Sequence, residues 1–349
     1  MVKSNSVHSF LKISNKISAS LAITFNTLLI YLILIKSPKE FGSYKTLLIC
    51  TSVFQMIYSL LFAYFVPIHY SFGTTELTMV LVIDKPLSHF LVRFSISILW
   101  AVFGATQSIY AVHFIYRYLS VSKNTLIESF DSWKIMFWLS IPVITGAAWS
   151  IMGMLLCGPN QETTELASET ILESFGEPIE HFEYLGGSMY DASKNGTITL
   201  QYRFLSAAGF MSATVSLSFA IIIFCAVKCY SIIKNMIYTS TTMSSKSRSL
   251  QSQLFYALVT QIIIPTVVLD VPITIFFALN LANNGIEGNS GYLSFNVTFY
   301  PVIDPLPNFF IIGPYRRAIT KCFSKKTHPE ELASASHITD TQVPMANLA

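Results

Sequence analysis

Three charged side chains lie within or directly after long apolar stretches, and they are the residues best placed to do chemistry. Arg117 follows the apolar run 90–116, Asp270 lies in IIIPTVVLDVPITIFF, and Asp304 lies in FYPVIDPLPNFF. Ionisable residues in such surroundings are costly, and they commonly pair with a ligand or with a neighbouring helix. No second acid, base or nucleophile lies at a matched depth, so the pattern does not predict an enzyme.

A second group of reactive side chains occurs in EPIEHFEY, residues 177–184. Glu177, Glu180, His181 and Glu183 are of types that ligate metals, but their spacing is not diagnostic of a metal site. We interpret this segment as part of a solvated acidic loop. The sequence also contains no glycine-rich phosphate loop and no nucleophile elbow, so we expect neither a metal nor a cofactor.

The composition indicates the surroundings of these residues. The chain has 349 residues, of which 52% are hydrophobic and 12% are charged, whereas soluble domains are about 25% charged. Its net charge of +3 is too small to indicate a nucleic-acid partner. The five cysteines are scattered along the chain, which does not favour a disulfide framework. Much of the chain is therefore expected to contact membrane lipids.

Seven stretches are apolar and long enough to cross a bilayer, which takes about 20 residues. These predicted spans one to seven cover 15–35, 45–67, 90–116, 134–156, 203–228, 253–281 and 292–312. The first begins too deep in the chain and is too long for a signal peptide. The expected fold is an all-α membrane protein, a bundle of seven transmembrane helices.

The basic residues predict the orientation of this bundle. With the N-terminus outside, 15 of the 22 Lys and Arg residues lie in inner segments, as the positive-inside rule requires. The loop 157–202 is then an acidic outer loop, and its sequon Asn195-Gly196-Thr197 is a candidate glycosylation site. The expected domains are an outer N-terminus at 1–14, the seven-helix bundle at 15–312, a surface helix at 313–324 and a cytoplasmic tail at 325–349.

Each intramembrane charge allows a structural and a functional interpretation. Arg117 at the inner end of span three is either an interfacial anchor or a switch that changes partners. Asp304 precedes Pro305 in span seven, where prolines loosen the helix. It is either an acid whose polar contacts act at a hinge, or a structural acid that is satisfied by the freed backbone or a neighbouring helix. Asp270 lies between the candidate hinges Pro265 and Pro272, and it either faces a pocket or is satisfied by a neighbouring helix.

The segment after span seven, GPYRRAITKCFSKK, is typical of a short amphipathic helix on the membrane surface. Pro314 can open it, and Tyr315, Ile319 and Cys322 fall on one apolar face. Basic residues flank that face. Cys322 is a candidate palmitoylation site.

Several segments carry a resemblance to a known family. They are FGSYKTLLI (41–49), PIHYSF (67–72), AVHFIYRYLSV (111–121), SLQSQLFYALVTQIIIPTVVLDVP (249–272) and FYPVIDPLPNFFIIGPYRRAI (299–319). Together they resemble the nematode serpentine chemoreceptors of the Str family, close to the Srj and Srd groups. This family consists of G-protein-coupled receptors, and the resemblance extends from about residue 10 to residue 322.

The resemblance implies an olfactory or other chemosensory receptor in the plasma membrane of a sensory cilium. Its partners would be a small volatile or soluble ligand and a heterotrimeric G protein. Tyr116, Arg117 and Tyr118 would stand where rhodopsin-like receptors have an acid, Arg and Tyr. Asp304 and Pro305 would stand where those receptors have Asn-Pro, and these five residues are the expected coupling and switch residues.

Depth along the spans suggests Phe103, Gln107, Asp270 and Phe276 as pocket residues. The chain departs from the rhodopsin-like pattern at Tyr116, which replaces an acid, and it has no cysteine near the start of span three. The outer loop would then be held by packing alone or be mobile. The alternatives are a seven-span ligand-gated cation channel and a small-solute transporter, although no internal repeat supports the latter.

Overall fold

The computed structural model describes residues 2–83, 85–192, 198–238, 244–284 and 290–324. The helices up to the outer loop are α1 (Val2–Lys36), α2 (Tyr44–Phe65), α3 (His89–Ser122), α4 (Ile135–Leu156) and α5 (Gln161–Phe175). The later ones are α6 (Tyr202–Tyr238), α7 (Ser245–Pro265), α8 (Val271–Leu281), α9 (Ser290–Ile303), α10 (Leu306–Ile311) and α11 (Gly313–Ser324). The strands are β1 (Ile68–Phe72), β2 (Thr75–Leu81), β3 (Phe182–Ser188), β4 (Tyr190–Ala192) and β5 (Ile198–Leu200).

Seven crossings form the bundle. Among the described residues, six helical segments are long and apolar enough to span a membrane: His8–Lys36, Tyr44–Phe65, His89–Ser122, Ser132–Leu156, Tyr202–Met236 and Ser245–Leu281. The last of these combines α7 and α8 and corresponds to span six. Span seven consists of α9 and α10, with 14 and 6 residues, and each is too short to cross alone. The strands β1, β2 and β3 form a sheet at one end of the bundle. We call this end the outer end, after the predicted orientation, and the opposite end the inner end.

Prolines interrupt span seven, and side chains from other helices satisfy the backbone groups that they leave free. A proline at position i cannot donate to the carbonyl at i−4. Pro301 leaves the Val297 carbonyl free, and the Tyr58 hydroxyl donates to it at 3.0 Å. Pro305 leaves the Pro301 carbonyl free, and Asn26 Nδ2 donates to it at 3.2 Å. The broken helix is thus fixed to spans one and two, because lipid offers no other partner.

Span six changes its winding at the prolines predicted as hinges. The segment Thr266–Asp270 forms one turn of π-helix between Pro265 and Pro272. Pro272 leaves the Val268 carbonyl free, and Asn296 Nδ2 of span seven donates to it at 3.3 Å. Single π turns within α-helices are often found at functional sites because they redirect side chains. Here the turn carries Asp270.

A small sheet covers the outer end, and the sequence analysis did not predict it. β1, β2 and β3 form an antiparallel sheet in that order, with Ile68 opposite Met79 and Thr78 opposite Leu185. Its outer face packs against α5 and the start of α1. Its inner face turns toward the bundle, where Leu185 joins the central core. Because successive side chains of a strand point to opposite faces, alternate sheet residues pack against α5 or face the interior of the bundle.

The outer loop is structured by packing. The described part of residues 157–202 contains α5, the strand β3 and the small pair β4–β5, and the acids on α5 are exposed to solvent as predicted. Asn160 caps α5 by accepting from the Thr163 amide at 2.8 Å, and Gly176 ends it with a φ of 67°. Cys157 is a free, buried thiol. Of the two alternatives for a loop without a disulfide, the described part of the loop follows the packed one, whereas Asn195 lies outside the described residues.

Glu183 fixes the sheet to the start of α3. Arg93 donates to its two carboxylate oxygens at 2.8 and 3.2 Å, and His89 Nδ1 lies 2.9 Å from Oε1. His181 instead pairs with Glu177 at 2.7 Å. The residues of EPIEHFEY therefore point to different partners, and the described residues contain no cluster of three metal-ligating side chains.

Candidate functional site

A cavity of about 410 Å³ lies at the outer end, between the inner face of the sheet and the helices. Aromatic rings make up much of its wall: Trp100, Phe103, Trp149, Phe204 and Phe277. Its acidic and imidazole side chains are His69 and Glu76 from the sheet and Asp270 from span six, and the thiol of Cys157 also lines it. A largely apolar cavity with a few convergent polar groups has the features of a small-molecule site.

Asp270 reaches this cavity from the π turn. Its Oδ1 accepts a hydrogen bond of 2.8 Å from Gln107 Nε2 of α3, whereas its Oδ2 has no hydrogen-bond partner. The Oε1 atom of Gln107 also lacks a partner. This pair joins spans three and six at the outer end. It leaves one carboxylate oxygen of Asp270 available to another donor.

The structure places the four predicted pocket residues differently. Phe103 and Asp270 line the cavity. Gln107 lies behind them and reaches the site through its bond to Asp270. Phe276 is a buried member of the central core and is not part of the cavity wall. Adjacent Phe277 lines the cavity instead, because a shift of one position turns a helical side chain by about 100°.

On the sheet side, His69 belongs to a short chain of hydrogen bonds. Trp100 Nε1 donates to Thr78 Oγ1 at 3.1 Å, and that oxygen lies 3.2 Å from His69 Nδ1. Burial lowers the pKa of His69 to about 4, so the ring is neutral at pH 7. Its Nε2 has no hydrogen-bond partner.

Glu76 is the second acid of the cavity. Burial raises the pKa of its carboxyl group to about 7, and its Oε2 has no hydrogen-bond partner. It lies opposite Ser71 in the sheet, two residue pairs along from His69 and therefore on the same face. Ser71 in turn donates to Asn280 Oδ1 of α8 at 2.5 Å. The cavity therefore contains three polar side chains with an unpartnered atom: His69, Glu76 and Asp270.

The middle of the bundle holds Asp304 in a hydrogen-bonded network. Its Oδ1 accepts from the hydroxyls of Tyr110 in α3 and Tyr300 in α9, the latter at 3.3 Å. Its backbone carbonyl accepts from Gln261 Nε2 of span six at 3.1 Å. Gln55 of span two donates to the Tyr300 hydroxyl at 2.9 Å. Asp304 thereby links four spans at the point where span seven breaks.

Arg117 lies at the inner end and is buried, with an exposure of 1%. Its Nη1 donates to Gln251 Oε1 of span six at 2.6 Å, and its guanidinium lies 4.6 Å from the centre of the Tyr44 ring. Nε and Nη2 have no hydrogen-bond partner. A buried Arg of this kind differs from an interfacial anchor, whose charged head remains in water. The partner that the sequence left open is Gln251.

The tyrosines on either side of Arg117 contact other parts of the bundle. The hydroxyl of Tyr116 donates to the Phe41 carbonyl at 3.2 Å, and its ring stacks on Tyr44 at 5.4 Å. The ring of Tyr118 lies 6.3 Å from that of Phe224 in α6. Neither side chain replaces the acid that rhodopsin-like receptors have before the Arg.

The expected helix after span seven is α11. The Tyr315 hydroxyl lies 2.6 Å from Ser37 Oγ and fastens α11 beneath the end of α1. Cys322 belongs to the last turn of α11, but its side chain lies outside those that the structure describes. Its modification stays a prediction.

Comparisons with known proteins agree with this architecture. Residues 11–320 match the family described as serpentine type 7TM GPCR chemoreceptor Str. G-protein coupled receptor str-217 of Caenorhabditis elegans is 26% identical over 310 residues, which cover 89% of each chain. Serpentine receptor class r-10 of the same nematode is 28% identical over 331 residues, covering 92% of this chain and 94% of that protein.

Among solved structures, squid rhodopsin is similar in fold. Its crystal structure has a TM-score of 0.58 and 13% sequence identity, and the match covers 92% of this chain and 86% of that one. At this identity the likeness concerns the fold alone. It confirms the predicted seven-transmembrane helix bundle.

Proposed function

The chain belongs to the Str family of serpentine seven-transmembrane GPCR chemoreceptors, and we propose that it converts binding of a small molecule into activation of a heterotrimeric G protein. It is a multi-pass membrane protein. The ligand, a volatile or soluble odorant, occupies the outer cavity, and the G protein docks at the inner end. The site of action is the plasma membrane of a sensory cilium.

One observation supports this proposal most strongly: span six is bonded to α3 at both of its ends. Near the cavity, Gln107 donates to Asp270 at 2.8 Å. At the inner end, Arg117 donates to Gln251 at 2.6 Å. Between the two bonds, span six contains the π turn Thr266–Asp270. A ligand that binds at one end thus has a physical route to the other.

In the proposed mechanism, the ligand competes with Gln107 for Asp270. Loss of that bond frees the outer half of span six, which can rotate about the π turn and the neighbouring prolines because their backbone bonds are already incomplete. Gln251 then withdraws from Arg117, and the inner ends of spans three and six separate. The ligand need only bind the separated state more tightly than the joined state.

The residues around Arg117 would then face the G protein. Tyr116 and Tyr118 lie beside Arg117 on α3, and Asp304 and Pro305 mark the break in span seven. We assign to these residues the coupling role that the resemblance implies. Separation of the helices would expose the guanidinium, two nitrogens of which have no partner in the joined state.

The test is guanine-nucleotide exchange on purified heterotrimeric G proteins mixed with the receptor in lipid nanodiscs. A panel of small odorants should contain at least one compound that accelerates exchange. Membrane current is recorded in parallel in cells that express the protein. Current evoked by a ligand without nucleotide exchange would favour the channel alternative.

The proposed orientation has an independent test. An epitope tag at the N-terminus should be accessible to antibody on intact cells, whereas a C-terminal tag should become accessible only after permeabilisation. Glycosylation of Asn195 would agree with this orientation, since a glycosylated residue faces the lumen or the outside. A cytosolic N-terminus would contradict the receptor proposal.

A further inference from the structure

We propose that the outer cavity binds a small protonated amine with an apolar body, and that Glu76 and Asp270 hold its ammonium group. This inference deepens the proposed receptor function, since it names the chemical class of the ligand. The two acids lie on different walls, one on β2 and the other on the π turn of span six. A cation between them would link the sheet to span six.

The charge of the wall favours a cation. The described lining contains two carboxyl groups, one neutral imidazole and the thiol of Cys157, and none of these lining residues is Lys or Arg. Among nearby basic residues, Arg93 and His89 are engaged by Glu183, and Arg203 donates to the Leu155 carbonyl at 2.9 Å. The described lining therefore lacks a positive group that could neutralise either acid. An ammonium ligand would supply that charge.

The unpartnered atoms favour a donor. Glu76 Oε2 and Asp270 Oδ2 are buried acceptors without a hydrogen-bond partner. Leaving such an atom unpaired is unfavourable, because it has lost its hydrogen bonds to water. A primary ammonium group carries three N–H donors and can serve both acids. Gln107 provides a donor to Asp270 Oδ1 in this structure, and an ammonium group that reaches Oδ2 competes with this neutral amide for the same carboxylate, because hydrogen bonds between two charged groups are stronger.

The aromatic wall accounts for the rest of the ligand. Cations are attracted to the faces of Trp and Phe rings, and Trp100, Phe103 and Trp149 line the same cavity. Phe204 and Phe277 extend the apolar surface on the side of α6 and α8. An aliphatic or aryl body bound there is removed from water.

His69 adds a preference within this class. Its Nε2 has no hydrogen-bond partner at the sheet wall, two residue pairs along the sheet from Glu76. An amine that also carries a hydroxyl group could bond to it, since a hydroxyl can both donate and accept. A neutral carbonyl compound alone would leave both carboxylates without a donor.

The experiment measures binding without any G protein, so that it is separate from the test of signalling. The full chain in nanodiscs is unfolded thermally with primary amines of aliphatic or aryl body, each paired with the alcohol and methyl ketone of the same skeleton. At least one amine should raise the Tm, and its neutral counterparts should not. Titration of the Tm shift then gives the affinity.

Variants locate the site. Asp270→Asn and Glu76→Gln remove one charge each with little change of shape, and each should weaken amine binding by about 30-fold or more, as for a truncated buried charge pair. Glu169→Gln is the matched control, because Glu169 is an exposed acid on α5. If Asp270→Asn does not fold, amine affinity is measured in Asp270→Glu and Glu76→Gln instead.

Three outcomes would overturn the inference. Equal stabilisation by alcohols or ketones would show a neutral ligand class, yet it would leave the receptor proposal standing. Unchanged amine affinity in both acid variants would place the amine elsewhere, and no stabilisation by any amine would reject the class. Binding of an amine without nucleotide exchange would instead contradict the proposed function and leave the ligand class intact.

Discussion

Two aspartates of this receptor-family chain, each in a broken transmembrane helix, have opposite surroundings. The carboxylate of Asp304, in the middle of the bundle, accepts hydrogen bonds from Tyr110 and Tyr300. The carboxylate of Asp270, at the outer cavity, accepts one, from Gln107, and its Oδ2 remains without a partner. The backbone carbonyls do not differ in this way, because each accepts from a side chain, Gln261 for Asp304 and Thr274 for Asp270. The two acids are otherwise alike, since each lies beside prolines in a broken helix.

The difference indicates which acid holds the bundle together and which is available to a ligand. Buried polar groups are normally hydrogen-bonded, and an exception needs an explanation. In the middle of the bundle, the neighbouring helices provide the donors. At the cavity, the missing donor is the one that a ligand can bring. The predictions below test this division, beginning with the largest effect.

The largest effect is expected from Asp304→Ala. This change leaves the hydroxyls of Tyr110 and Tyr300 without their acceptor in a dry interior, at a cost of about 2 kcal/mol or more. We expect little folded protein at the cell surface, as measured by antibody against an outer tag. Asp270→Ala should reach the surface, because it removes a carboxylate that is only partly hydrogen-bonded.

Equal surface levels of the two alanine variants would show that Asp304 and Asp270 contribute equally to folding, which would contradict the proposed difference between them. Purified protein provides a second measurement, with a thiol-reactive fluorophore that reports unfolding. Cys157, Cys225 and Cys229 are buried, so they should react only when the bundle opens. The Tm of Asp304→Ala should then lie well below that of Asp270→Ala.

A second prediction concerns the inner end, where Arg117 also has atoms without a hydrogen-bond partner. By the same reasoning, these atoms are available to a binding partner. Arg117→Ala should abolish nucleotide exchange and leave surface expression, because the guanidinium is retained for the G protein. Gln251→Leu should have the opposite effect and raise basal exchange by up to about tenfold, since a hydrogen bond to a charged group contributes about 1.5 kcal/mol.

Lys16→Ala serves as the control for loss of a positive charge, because Lys16 is exposed on the outer half of α1. It should change neither basal nor stimulated exchange. Retained signalling by Arg117→Ala would reduce Arg117 to a structural residue. Lower basal exchange in Gln251→Leu would show that the bond belongs to the active state.

The sequence predicted the fold well because bilayer thickness imposes a simple requirement on length and polarity. The helix ends were less predictable: α3 continues to Ser122, beyond the predicted end at residue 116. Packing in the inner core, rather than apolarity, sustains its last turns. The sheet was missed although Ile68–Phe72 alternates apolar and polar residues, because β1 and β2 have only five and seven residues and directly follow a membrane span.

The site was predictable only where a charge stood out. Asp270, Asp304 and Arg117 were identified because charge is rare in a span. Their partners were not, since Gln251 and Gln261 are ordinary polar residues whose roles depend on the rotation of span six. One signal was present in the sequence: Tyr300 lies four residues before Asp304, which places both on one helix face.

A third prediction concerns a smaller change in the middle of the bundle, where the neighbouring helices provide hydrogen-bond partners. Tyr58→Phe removes only the hydroxyl that donates to the Val297 carbonyl, the group left free by Pro301. The loss of one net hydrogen bond should cost about 1 kcal/mol and lower the Tm slightly. Tyr256→Phe is the matched control, because Tyr256 is 48% exposed on α7. An unchanged Tm for Tyr58→Phe would mean that the carbonyl needs no partner there.

The smallest effect concerns the pH dependence of the cavity, and it rests on Glu76. Burial raises the pKa of Glu76 in the folded protein to about 7, above its ordinary value of 4.5. Between these values the folded chain holds a proton that the unfolded chain has lost. The contribution of Glu76 to stability is therefore present at low pH and is lost as pH rises through about 7.

Glu76→Gln removes this dependence. The Tm of the variant minus the Tm of the unchanged protein should therefore increase as pH rises from about 5 to about 8. His69 acts in the opposite direction, because its lowered pKa of about 4 makes the fold less stable as pH falls below 6.5. That contribution is common to both proteins, so it cancels in the difference. A constant Tm difference across this range would mean that Glu76 is already satisfied, and the cavity would then resemble the middle of the bundle.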